Sequence, residues 1–230
     1  MSTPGGGRGG AGGGRFEPDP SLRFSAQEIQ DLLIAWLALG VAFAIFFAGG
    51  GQRAIALVTG SPTAFAVALV VSLLTAGVGF LLHELGHKVM AVRYGNVAAF
   101  RAEYNMLFLA IMSAFLGFIF AAPGAVHHRG RLTERQHGLI ALAGPAVNLV
   151  LAVVFVPLWI AGGVAGIGLL ELLGGRGLAV NLFLAAFNMI PIGALDGKTV
   201  VGWSKTVWLG VALPSIAVTV YVVFVLGVGF

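Results

Sequence analysis

The stretch AIALVTGSPTAFAVALVVSLLTAGVGFLLHELGHK, residues 54–88, decides the fold. Its first 29 residues carry no charged side chain and no histidine, whereas an α-helix needs roughly 20 apolar residues to cross the hydrocarbon core of a bilayer. The stretch therefore predicts a transmembrane helix. Two histidines and a glutamate follow at its end, and ionisable groups at membrane depth are costly enough to indicate a function.

The rest of the chain has the same apolar character. Hydrophobic residues make up 58% of the 230 positions and charged residues only 10%, against about 25% charged in soluble domains. We therefore expect an all-α polytopic membrane protein with five to six transmembrane helices. The candidate spans are 32–52, 54–87, 105–128, 136–170, 177–195 and 206–230.

The chain divides into a tail and one membrane domain. Residues 1–31 begin with a Gly-rich run and predict a disordered tail followed by a surface segment. Residues 32–230 form the predicted transmembrane domain. The net charge of +4 comes from Lys and Arg between apolar runs, which is typical of topology signals. We expect the lipid bilayer as a partner and no nucleic acid, and the sequence specifies no oligomeric state.

The positive charges also predict the topology. If residues around 98–128 enter the membrane and return to the same side, 11 of the 13 Lys and Arg residues are cytoplasmic. Six full spans would give no such bias, so the positive-inside rule favours a re-entrant element. Gly117, Pro123 and Gly124 suit a β-like or broken-helix segment. The expected protein is multi-pass in the cell membrane, with a cytoplasmic N-terminus.

The motif His83-Glu84-Leu85-Gly86-His87 indicates a metal site. Residues 83 and 87 share one helix face, so both imidazoles can reach one zinc ion, and Glu84 lies beside it as a general base. A catalytic zinc needs a third protein ligand. The chain has no cysteine, and Asp196 is its only aspartate after residue 31. A buried aspartate is costly unless a cation compensates it, so Asp196 is the predicted third ligand.

Two amides in apolar stretches are further candidates. Asn148 follows Gly144-Pro145, and Asn188 precedes Asp196 in one segment. Each amide either joins helices by hydrogen bonding or donates to substrate backbone or an oxyanion. The histidines 127, 128 and 137 are interpreted as interfacial side chains of a charged loop.

Three motifs, HELGH at 83–87, GPAVN at 144–148 and NMIPIGALDG at 188–197, make the sequence resemble the site-2 protease family of intramembrane zinc metalloproteases, peptidase family M50. The resemblance covers a catalytic core of about 64–197. It implies one zinc ion per chain, held by His83, His87 and Asp196, with Glu84 as general base. Lys198 departs from the second glycine that many members have after Leu-Asp-Gly.

The predicted function is hydrolysis of peptide bonds in transmembrane protein substrates near the cytoplasmic side of the bilayer, as in regulated intramembrane proteolysis. Other readings use the same residues. An inactive zinc-binding scaffold would keep the metal but not need Glu84, whereas an ion transporter would transport without cleavage. A membrane metallohydrolase with a non-peptide substrate has the same ligands.

Overall fold

The computed structural model describes residues 21–229. Five helices in that range are long and apolar enough to cross a membrane, which confirms the expected all-α multi-pass membrane protein. The part of the predicted tail at 1–20 lies outside the described residues. The five helices are Ala26–Phe47 (α1), Pro62–Arg93, Glu134–Ala165 (α6), Gly168–Asn188 (α7) and Lys205–Val225.

The first span begins earlier than the sequence predicts. Helix α1 starts at Ala26, where the Ser25 hydroxyl accepts a hydrogen bond from the Glu28 N–H as an N-cap. Residues up to 31 were expected at the surface, but Glu28 and Asp31 are only 1% and 2% exposed. Both carboxylates have cationic partners inside the protein, which offset the cost of burial.

The second span carries the HELGH motif and contains an irregular turn. After a short helix (α2, Gly51–Gly60), the span runs as α3 (Pro62–Ser72), a π-helical turn (Leu73–Gly77) and α4 (Val78–Arg93). The indole N–H of Trp36 donates to the Leu73 carbonyl at 3.0 Å. A π-helical turn inserts an extra residue and changes which face the following helix presents, here that of the motif helix α4.

The re-entrant element contains both a sheet and a helix. Strands β1 (Val97–Ala102) and β2 (Gly124–Arg129) pair antiparallel, with Ala102 opposite Gly124, and enclose helix α5 (Tyr104–Phe115). The 12 residues of α5 span about 18 Å, against about 30 Å of hydrocarbon. Because β1 and β2 are paired, the segment between them leaves and returns at the same place. This is the behaviour expected of a re-entrant segment around 98–128.

The last helices deliver the segment with Asp196 to the motif helix. After α7 the chain turns into a short helix, α8 (Asp196–Trp203), and then α9 (Lys205–Thr219), which continues through a π-helical turn at Val220–Val225. The Trp208 indole N–H donates to the Met189 carbonyl at 2.7 Å. One buried cluster joins this region to α6, through Ala141, Met189, Val200 and Ala212.

Candidate active site

The structure brings the three predicted ligands together. The Nε2 atoms of His83 and His87, one turn apart on α4, lie 3.0 Å from each other. The Asp196 Oδ2, at the start of α8, lies 3.2 Å from the His83 Nε2 and 3.4 Å from the His87 Nε2. The two contacts of Asp196 link residues 109 or more positions apart, and both imidazoles are buried.

Hydrogen bonds on the far side of each ring fix the imidazole tautomers. The His87 Nδ1 lies 2.7 Å from the Ile140 carbonyl, which can only accept, so this nitrogen carries the proton. The His83 Nδ1 likewise donates to the Asn148 Oδ1 at 2.6 Å. In the neutral imidazoles both Nε2 atoms therefore present lone pairs toward Asp196. Such outer hydrogen bonds are the usual support of metal-binding histidines.

These donors fit a divalent metal. Two lone pairs 3.0 Å apart repel each other, and the buried Asp196 Oδ2 has no hydrogen-bond partner. A cation bound by two imidazoles and a carboxylate resolves both features, and this is a donor set of catalytic zinc.

By distance alone, Glu84 could be the third metal ligand in place of Asp196. Its carboxylate lies within 4.8 Å of the ligand atoms of His83 and His87. The Glu84 carboxylate also lies beside the Val126 backbone, and its Oε2 has no hydrogen-bond partner. The shorter contacts of Asp196 favour it as the ligand and leave Glu84 beside the site as a base.

The side chain of Asn148 makes its hydrogen bonds within the protein. Its amide nitrogen donates to the Gly79 carbonyl at 3.1 Å and to the Asn181 Oδ1 at 2.9 Å, so both amide hydrogens are used within the protein. Of the two uses predicted for this amide, these contacts favour the one that joins helices, and its Oδ1 also accepts the hydrogen bond of the His83 Nδ1. Sequence reasoning missed Asn181, although an amide in the apolar stretch 177–195, which it shares with Asn188, is a usable signal.

The remaining predicted residue, Asn188, lines a cavity of about 360 Å³ together with Glu84 and Asp196. Its amide donates one hydrogen bond, to the Leu184 carbonyl at 3.0 Å, which leaves a second amide hydrogen. His128 and His137 line the same cavity, with ring centroids 5.3 Å apart. Burial and the neighbouring His137 lower the pKa of His128.

Gly144 gives the imidazoles their space. A Cβ at this position would lie 2.5 Å from the Nε2 atoms of both His83 and His87. We expect Gly144→Ala to displace both rings and to abolish stoichiometric zinc binding, measured by metal analysis of the purified protein. Gly210→Ala is the matched control, because a Cβ there meets nothing within 4 Å and alanine favours the helix. Full zinc content in Gly144→Ala would contradict this geometry.

The two amides should separate into different roles. Asn148→Leu leaves the His83 Nδ1–H unpaired, and loss of an outer-shell partner lowers metal affinity by about 10–100-fold. Asn188→Ala should leave zinc affinity unchanged, because Asn188 makes no contact with either imidazole among the described hydrogen bonds. Competition with a chelator measures both affinities. Equal affinities in the two variants would refute the assignment of Asn148.

Comparisons with known proteins agree with the site. The chain is 39% identical over 205 residues to "Putative zinc metalloprotease MJ0611" of Methanocaldococcus jannaschii, covering 88% of this chain and 98% of the relative. It is 29% identical to "Putative zinc metalloprotease Rip2" of Mycolicibacterium smegmatis, covering 67% and 64%. It is 30% identical to "Putative zinc metalloprotease YwhC" of Bacillus subtilis, covering 56% and 66%. No protein-family model and no solved structure matches.

The first of these matches extends over nearly all of both chains, so the similarity is not confined to one motif. All three relatives are named as zinc metalloproteases and are members of one family. Zinc is accordingly the cofactor, and the enzyme is a metallopeptidase. The chain therefore belongs to the site-2 protease family of zinc metalloproteases.

Proposed function

We propose that the protein is an intramembrane zinc metalloendopeptidase, which hydrolyses peptide bonds of transmembrane proteins near the cytoplasmic side of the bilayer. One observation carries this proposal: the carboxylate of Glu84 lies beside His83, His87 and Asp196 in a cavity among membrane-crossing helices. One zinc ion per chain would be held by the two Nε2 atoms and the Asp196 carboxylate. The arrangement suits regulated intramembrane proteolysis.

The proton transfers fall to Glu84. When bound, zinc lowers the pKa of water and polarises a carbonyl group. The Glu84 Oε2, which has no partner in the protein, takes the proton of the attacking water. The same carboxyl then gives that proton to the amine that leaves. The outer hydrogen bonds of His83 and His87 keep both rings fixed through these steps.

The substrate would bind as a strand along β2. The Phe100 N–H donates to Glu28 and not to β2, so Phe100 and its partner Val126 form a non-hydrogen-bonded pair. The N–H and C=O of Val126 therefore point to the outer edge of β2, where Glu84 lies. An unwound substrate segment can add to such an edge. Asn188 is then available to hold substrate backbone or the oxyanion.

Cleavage of a model transmembrane substrate by purified protein in lipid vesicles tests this function. We expect cleavage that a chelator stops and added zinc restores, with the cut mapped by mass spectrometry inside the apolar segment. Zinc-dependent cleavage of soluble peptides alone would exclude the intramembrane substrate. Stoichiometric zinc without cleavage of several transmembrane substrates would refute the peptidase proposal.

The proposed orientation places the N-terminus and the active site toward the cytoplasm. The chain has no cysteine, so single cysteines can report the topology without background. We expect a membrane-impermeant maleimide, added to intact cells, to label Ile167→Cys between α6 and α7 but not Arg131→Cys or Lys198→Cys. Permeabilised cells should label all three. The reverse pattern in intact cells would invert the proposed orientation.

A further inference from the structure

A fully buried ion pair lies next to the metal site and takes no part in the proposed chemistry. Lys88 follows His87 directly and is 1% exposed. Its ammonium donates to the Glu28 Oε1 and Oε2 at 2.6 and 2.7 Å and to the Arg23 carbonyl at 2.6 Å. An ammonium has three donors, so Lys88 is completely satisfied by α1 and the segment that precedes it.

The same carboxylate also fastens the re-entrant sheet. The Glu28 Oε1 accepts the Phe100 N–H at 3.0 Å, on the edge of β1 that faces away from β2. Glu28 thus connects the motif helix α4 to the pair Phe100–Val126, whose other side faces Glu84. It also occupies this edge of β1, which leaves the edge of β2 for an added strand.

A second acid of α1 contacts the end of the same strand. Asp31, one turn after Glu28, accepts a hydrogen bond from the Tyr104 hydroxyl at 2.6 Å and lies 3.4 Å from the Arg101 guanidinium. Two acids at i and i+3 share one face of a helix. Helix α1 therefore holds β1 at two points, and both acids are at least 98% buried.

We propose that Glu28, held by Lys88, is a positioning residue that sets the re-entrant sheet against the motif helix, so that the edge of β2 presents substrate to Glu84. This inference rests on the proposed function. Stability alone does not call for an ion pair here, because apolar residues of similar volume replace buried pairs at little or no cost. A carboxylate does what an apolar residue cannot, since it accepts the strand N–H and the lysine together.

Two double variants isolate the strand contact. In E28Q/K88M both charges are removed, but the glutamine oxygen still accepts the Phe100 N–H. In E28M/K88M the side chains have similar volume and no charge, but the acceptor is lost. Both avoid the large penalty of one unpaired buried charge. If E28M/K88M does not fold, Glu28→Asp provides the comparison, because its carboxylate is one methylene too short to reach both partners.

Peptide-level hydrogen exchange and cleavage kinetics are measured on the full chain in lipid vesicles. For E28M/K88M we expect faster exchange in 97–102, unchanged zinc content and a KM raised about tenfold with a smaller change in kcat, since misplaced contacts cost up to about 100-fold. E28Q/K88M should resemble the wild type in hydrogen exchange, zinc content and KM. Thr59→Val, which removes a hydrogen bond within α2, should change neither exchange in 97–102 nor KM.

The outcomes separate this inference from the function on which it rests. Unchanged exchange in E28M/K88M overturns it, and so does faster exchange with an unchanged KM. Equal KM values in the two double variants overturn it as well, because the acceptor would then be irrelevant. If the wild type cleaves no substrate, the proposed function fails, while faster exchange specific to E28M/K88M still supports Glu28 as the residue that holds the sheet.

Discussion

We expect Glu84→Gln to abolish peptide cleavage while the purified protein keeps one zinc ion per chain. Glutamine has nearly the same shape as glutamate, but it cannot take a proton from water at neutral pH. Loss of a general base lowers rates by about 10²–10⁴-fold. Because the His83, His87 and Asp196 contacts do not involve Glu84, the metal site should stay intact. Single-turnover cleavage and metal analysis of the same preparation measure both effects.

Glu134→Gln is the matched control for this variant. Glu134 is exposed in the first turn of α6, outside the cavity, so its loss should leave cleavage unchanged. Cleavage by Glu84→Gln at the wild-type rate would exclude Glu84 as the base. Loss of zinc from Glu84→Gln would instead assign Glu84 as a metal ligand, which its position within 4.8 Å of both imidazoles makes a real alternative.

The sequence predicts the features that follow from spacing and charge. The i, i+4 spacing of His83 and His87 places both rings on one face of α4, because helix geometry is local. The bias of Lys and Arg predicts that the chain returns after α4, and the strands at 97–102 and 124–129 do begin and end together. Asp196 could be identified because an isolated acid in an apolar context needs a compensating charge.

Features that depend on distant partners could not be predicted. Glu28 looks like a surface residue in the sequence, since nothing local indicates Lys88, 60 positions away, or the Phe100 N–H. For the same reason the two uses of a buried amide remained open for Asn148 until its partners Gly79, Asn181 and His83 were known. A polar residue in an apolar stretch of sequence indicates that a buried polar group needs a partner. Only the tertiary structure identifies that partner.

Asp196→Ala should have the largest effect on the metal itself. The substitution leaves two imidazoles as protein ligands, and we expect zinc affinity to fall by more than the roughly 100-fold that outer-shell losses cause. The start of α8 should survive, because Gly197 packs against the Met189 backbone, where a Cβ would lie 2.2 Å from the carbonyl oxygen. Competition with a chelator measures affinity, and circular dichroism tests whether the helices are retained.

Lys198→Ala is the control for this experiment, since Lys198 is exposed two positions further along the chain. It should bind zinc and cleave like the wild type, which would also show that the departure from the family pattern after Leu-Asp-Gly has no effect on the metal site. Stoichiometric, tightly bound zinc in Asp196→Ala would remove Asp196 from the ligand set. Together with Glu84→Gln, the result assigns both carboxylates: the variant that loses zinc has lost the ligand, and the variant that keeps zinc without activity has lost the base.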